Sequence, residues 1–129
     1  MYMIDMIEDC FFVEASLGGK LDPSEIQVMA KDLAATMYGK DINKFTIMLD
    51  YSRAKAMDAD TRTQLCWVKD ALLELGIRKI INIARDDTDL VDGTTDRIQY
   101  VLEGREEFLL EPDRSKLPSV STSATAMAL

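Results

Sequence analysis

Phe45-Thr46-Ile47-Met48-Leu49, closed by Asp50, is the stretch whose reading decides the fold. Five residues, mostly apolar and bounded by polar neighbours, predict a buried strand rather than a helix, because the run is too short for one. The polar connector Tyr51-Ser52-Arg53-Ala54-Lys55-Ala56-Met57-Asp58 follows. From about Ala59, Leu65, Val68, Leu72 and Leu75 recur at helical spacing up to Gly76, which predicts an amphipathic helix laid back on a sheet. The core of the prediction is thus a central strand, a loop from Asp50 to Thr61, and a helix.

Upstream, Met1 to Ile7 and Cys10 to Leu17 are β-prone runs joined by Glu8-Asp9, which reads as a hairpin. Phe11, Val13 and Ala15 are expected on one face, and Phe12, Glu14 and Ser16 on the other. Gly18-Gly19 ends the second strand. Asp22-Pro23-Ser24-Glu25 opens a helix, with Asp22 as its cap and Pro23 in its first turn. Ile26, Met29, Ala30, Leu33 and Met37 make its apolar stripe, and Gly39 stops it.

Downstream, Ile77 to Ala84 predicts a further strand, and Arg85 to Gly93 an acidic loop. A helix is expected from about Thr94 to Leu102, and a last strand over Glu106 to Leu110. The order β-β-α-β-α-β-α-β implies an α/β fold, with crossover connections through a parallel centre and an antiparallel hairpin at one side. One domain is expected over residues 1–112. From Asp113 to Leu129 the composition turns to Ser, Thr, Ala and Pro, which marks a tail that cannot bury enough surface to order itself.

Composition narrows the function. A chain of 129 residues with 47% hydrophobic and 29% charged content is ordinary for a globular domain. No apolar run approaches the ~20 residues that span a bilayer. No leader pattern is present at the N-terminus, so the expected compartment is the cytoplasm. The net charge of −8 disfavours nucleic acid as a partner. There is no histidine, which removes Ser-His and Cys-His nucleophiles and every His-containing zinc site. Cys10 and Cys66, each set in apolar sequence, are expected as buried thiols. Asp86, Asp87, Asp89 and Asp92 do not fit a calcium loop: counted from Asp87, the fifth position is Val91 and the sixth is Asp92 instead of glycine. No cofactor or metal is expected. Trp67, near Tyr51 and Met57 in the pattern, is expected to pack against the core.

The strand Phe45–Asp50 with Ser52, followed by Met57-Asp58-Ala59-Asp60-Thr61 at a helix start, resembles the STAS fold of the anti-sigma-factor antagonists and their SpoIIAA-like relatives. The entrance Ala15 to Asp22 and the passage Leu75 to Ile80 are similar to that family's as well. The likeness covers roughly Cys10 to Leu110. In the antagonists a strand-end Asp-x-Ser is followed by Asp-Ser-Ser-Gly, whose serine is phosphorylated. Here Asp50 and Ser52 fall on the first part and Asp58 on the second acid, while Ala59 and Asp60 replace the serines and Thr61 the glycine. Asp60 puts a permanent carboxylate where a phosphate would go. The resemblance therefore implies a non-enzymatic protein-interaction module without the usual phosphorylatable serine. Asp50, Ser52, Met57, Asp58, Asp60 and Thr61 are its expected partner-binding residues. A small apolar-ligand or lipid-binding domain is the first alternative, and a degenerate receiver is the second, with Asp50 as phosphoacceptor. A protein partner is expected, and exposed apolar residues in the hairpin or tail leave a homo-oligomer open.

Overall fold

The computed structural model of the chain describes residues 1–111. The expected tail, with Val120, Met127 and Leu129, lies outside them. Five strands form one sheet in sequence order: β1 (Tyr2–Ile7), β2 (Phe12–Gly19), β3 (Thr46–Ala54), β4 (Lys79–Ala84) and β5 (Glu106–Leu110). β1 pairs antiparallel with β2, and the remaining three pairings are parallel. The helices are α1 (Pro23–Met37), α2 (Ala59–Glu74), α3 (Asp87–Asp96) and α4 (Ile98–Leu102).

Local chemistry sets the element ends. The Asp22 carboxylate accepts the Glu25 backbone N–H at 2.8 Å with Pro23 at the first position, so α1 starts there. Past Met37 the chain turns through Gly39 at φ +76°, a left-handed value that favours glycine. The hairpin turn Glu8–Cys10 is a single 3₁₀ turn closed by Phe11 at φ +51°. Phe11 therefore sits outside the strand and meets Phe45 edge-on, with centroids 5.4 Å apart.

Alternation along the strands divides the interior in two. Val13, Ala15, Leu17, Ile47, Leu49, Tyr51, Ile80 and Ala84 face the helices and meet the stripes of α1 and α2 in the main core. Leu90 of α3 and Tyr100 of α4 pack against the same core. Phe12, Met48, Ile81 and Ile83 form a second cluster on the opposite face. β3 is fully interior to the sheet, as its apolar run implies.

The structure corrects several expectations. β3 does not stop at Leu49 but runs on to Ala54, so the first five residues of the expected Asp50–Thr61 loop are strand. Pairing explains it: Ser16 sits opposite Asp50, and beyond a bulge Gly18 and Gly19 sit opposite Arg53 and Ala54, so the neighbouring strand carries β3 onward through polar residues. The single helix expected from Thr94 to Leu102 is two. The first starts at Asp87 because the Asp86 carboxylate accepts the Asp89 N–H at 2.9 Å, and Asp87 and Asp89 favour the positive end of the dipole. Most of the acidic "loop" is therefore the opening of a helix. The receiver alternative fails on topology, since a receiver's doubly wound sheet follows the order 2-1-3-4-5. Here the order is sequential, β1 is antiparallel, and the described helices share one face.

Candidate functional site

The carboxyl ends of β3 and β4, the start of α2, α3 and Phe108 of β5 enclose a pocket of about 220 Å³ on the helix side of the sheet. Open α/β sheets place ligand sites at strand carboxyl ends, which is where the sequence located its candidates. The residues differ, however. Of the six expected, only Met57 lines the pocket. Its apolar wall is completed by Tyr51, Leu65 and Phe108, and its charged wall by Lys55, Arg62, Arg85 and Asp89.

Behind that wall lies a buried ionic network. The Glu106 carboxylate accepts from Lys69 Nζ at 3.1 Å, Asn82 Nδ2 at 3.0 Å and Arg97 Nε at 3.0 Å. Lys69 Nζ also donates to Asn82 Oδ1 at 3.1 Å and lies 5.1 Å from the Phe108 ring centroid. Arg97 stacks over Tyr100, pairs with Asp70, and has a second amino nitrogen, Nη2, that is buried with no hydrogen-bond partner among the described residues. Burial holds the Lys69 ammonium below the ordinary lysine pKa, and the neighbouring Glu106 charge opposes that shift. Burial likewise pushes the Tyr51 hydroxyl far above its ordinary value. Sequence reasoning missed this network. Its signal was present: Lys69 interrupts the apolar stripe of α2 and Asn82 interrupts Ile80-Ile81-Ile83, and buried polar side chains need partners.

The expected partner-binding residues separate by depth. Asp50 is buried within β3, where its Oδ1 accepts from the Ser52 backbone N–H at 3.0 Å and the Ser52 hydroxyl at 2.6 Å. Both residues lie on the sheet face away from the helices, because they share the parity of Met48. Thr61 is fully buried, and its backbone N–H donates to the Asp58 carboxylate at 2.8 Å. That bond holds Asp58 below the ordinary aspartate pKa. Asp58 and Asp60 are exposed at the first turn of α2, and Met57 is half-buried beside them. The six do not form one surface. Met57, Asp58 and Asp60 stay together, while Asp50, Ser52 and Thr61 do not join them.

Two aromatic and thiol expectations also change. Trp67 is 62% exposed. The apolar stripe of α2 passes through Leu65, Val68 and Leu72, and Trp67 lies on the outer side with Asp60, Thr63, Ala71 and Glu74. Cys10 is exposed in the hairpin turn, and Cys66 is half-buried on the flank of α2, so neither is a buried core thiol.

Comparison with known proteins places the fold. A protein of the DUF3478 family with a SpoIIAA-like fold, from Shewanella loihica PV-4, superposes with a TM-score of 0.56 at 16% identity, over 90% of this chain and 88% of that one. The anti-sigma factor antagonist SpoIIAA in its unphosphorylated form superposes with a TM-score of 0.55 at 12% identity, over 99% of this chain and 97% of that one. No family model and no curated protein matches the sequence. The chain has a STAS, or SpoIIAA-like, fold, as its residue pattern implied. No helix among the described residues is long and apolar enough to cross a membrane.

Proposed function

We propose that this domain is a non-enzymatic regulatory module that acts by binding another protein through the outer face of α2. The exposure of Trp67 carries the reading. A large aromatic held on a rigid helix loses little entropy on contact, and such residues supply much of the energy of protein interfaces. Asp60 and Glu74 lie one heptad to either side of it, about 10 Å along the axis, and both are exposed. An apolar centre with acidic ends, on a chain of net charge −8, suits a partner whose apolar pocket is rimmed by Lys or Arg. The fold shared with a protein named as an antagonist of an anti-sigma factor supports an interaction role. Asp60 stays within this surface as a fixed carboxylate, and Asp58 serves it by capping the helix.

A photo-crosslinking side chain at position 67, in the cell of origin, tests the assignment. The expected result is one dominant protein adduct, absent when the crosslinker replaces the still more exposed Tyr38, just past the end of α1. Equal labelling from both positions, or none from 67, would count against it.

The pocket favours a second reading. Arg97 lines it with a buried Nη2 that has no hydrogen-bond partner among the described residues, and Lys55, Arg62 and Arg85 stand around it together with Asp89, Asp92 and Asp96. The walls are too charged for the purely apolar ligand expected from sequence, and suit a small organic anion with an apolar body. Calorimetric titration with octanoate and octanol separates the two. Preference for the carboxylate, lost on Arg97→Gln, supports the anion; equal or no binding opposes it.

A further inference from the structure

The cavity at the strand ends holds a nucleophile that anion binding alone leaves unused. Cys66 is a free, half-buried thiol in its wall. It lies one turn after Arg62 and one turn before Lys69, so the three share a flank of α2, and all line the cavity. Burial lowers the Lys69 pKa, and the charges of Glu106 and of an ionised Cys66 oppose that shift, so the thiol stands within electrostatic reach of the ammonium. Among the described residues, five basic and three acidic side chains form the wall. Glu106 and Asp70, which answer Lys69 and Arg97, lie behind it, so an anion in the cavity meets the cations first. A second observation, independent of the thiol, marks the cavity as a ligand site. The Arg97 side chain in its wall is 6% exposed, with Nε taken by Glu106 and Nη1 by Asp70, while Nη2 has no partner among the described residues. A buried guanidinium nitrogen left over in this way suits an acceptor that enters from the cavity.

We propose, on the anion reading of the cavity given above, that Cys66 is a thiol–disulfide exchange site that takes a small disulfide with carboxylate arms and keeps one half as a mixed disulfide. Thiols that react in this way sit half-exposed beside Lys or Arg, as Cys66 does. The cavity of about 220 Å³ falls below the roughly 300–1,000 Å³ of drug-sized sites, so the retained half is small. Cys66 first loses its proton to solvent. Its thiolate attacks one sulfur of the disulfide R–S–S–R, the S–S bond breaks, a Cys66–S–S–R bond forms, and R–S⁻ leaves and takes up a proton. The small disulfide is the oxidant, and a reducing thiol reverses the step. The basic wall draws the carboxylate arm in and sets the sulfur against Cys66. Cys10 lacks that setting, since it is exposed in the hairpin turn directly after Glu8 and Asp9.

Thiolation rates at the two cysteines of the full-length protein, followed by peptide mass spectrometry, test the site. The probes are dithiodipropionate, hydroxyethyl disulfide and cystamine, similar in length and carrying negative, zero and positive charge. Dividing each Cys66 rate by the Cys10 rate cancels the intrinsic reactivity of the probe. That ratio should be about tenfold higher for the dianion than for the neutral probe and lowest for the dication, and the spread should shrink in about 1 M salt. Lys55→Gln with Arg85→Gln, both at exposed positions of the wall, should cut the preference to about threefold or less. Octanoate should slow Cys66 and leave Cys10 unchanged. A Cys66 that reacts only once the protein unfolds, or a ratio equal for all three probes, would overturn the proposal. If octanoate still binds in an Arg97-dependent way, the exchange site falls alone and the anion reading stands; if octanoate does not bind either, both fall.

Discussion

Replacing Glu106 by Gln removes the carboxylate that two buried cations, Lys69 and Arg97, share. Lys69 and Glu106 side chains are 4% and 0% exposed, and Arg97 is 6% exposed. Glu106→Gln keeps the shape and can still meet Asn82, but leaves Lys69 and Arg97 facing each other with Asp70 alone as a counter-charge to Arg97. Breaking a buried pair from one side costs about 3–5 kcal/mol, because an uncompensated charge stays in a low dielectric. Against a total stability of about 5–15 kcal/mol, that takes the domain near its threshold. With a urea slope of about 1.5 kcal/mol/M, the unfolding midpoint should fall by about 2–3 M. Adding Lys69→Met removes the stranded ammonium and should restore about 2 kcal/mol, since Arg97 keeps Asp70. Urea denaturation followed by Trp67 fluorescence and by far-UV circular dichroism gives both numbers. If Glu106→Gln costs less than about 1 kcal/mol, or if the two substitutions simply add, the network does not hold α2 to β5 in the way described.

Other outcomes follow from the same geometry. Trp67→Ala should leave the unfolding midpoint within about 0.5 kcal/mol of the parent, because the ring is exposed, yet weaken partner binding by about 2 kcal/mol, or about thirtyfold in Kd. A large loss of stability with intact binding would reassign the ring to a structural role. Gly93→Ala should lower the melting temperature although alanine is the better helix former, since a Cβ there would stand 2.6 Å from the Phe108 ring. Phe108→Leu should relieve much of that penalty, and a melting temperature that rises in the single variant would contradict the close packing of α3 on β5. The caps Asp22, Asp58 and Asp86 are each held below the ordinary aspartate pKa, chiefly by a backbone N–H, from Glu25, Thr61 and Asp89 respectively. Their folded pKa values lie below the unfolded ones, so their contribution is present above the ordinary value and lost as pH falls from there through the lower folded values. Urea midpoints should therefore decline between about pH 5 and pH 2, and more gently when all three are Asn. An unchanged slope would remove the caps from the account.

The sequence alone determined the elements whose signals are local. The cap at Asp22, the stripes Ile26–Met37 and Leu65–Leu75, and the short strand-like runs at Phe45, Ile77 and Glu106 depend on neighbours a few residues away, and they placed α1, α2 and the strands of a SpoIIAA-like fold. Tertiary structure decided what each polar residue in those elements does. Asp50 reads as a strand-end carboxylate until the pairing of Ser16 and Gly18 with β3 draws it into the sheet. Trp67 was the exception: it lies off the stripe Leu65–Val68–Leu72, so helix phase in the sequence already turned it outward, and the expectation of core packing overlooked it. Lys69, Asn82, Arg97 and Glu106 lie on α2, on β4, before α4 and on β5, up to 37 residues apart, and only the closed fold makes them one network. Periodicity records which face a residue takes relative to its own element; which partner waits on that face is set by contacts the chain makes with distant parts of itself.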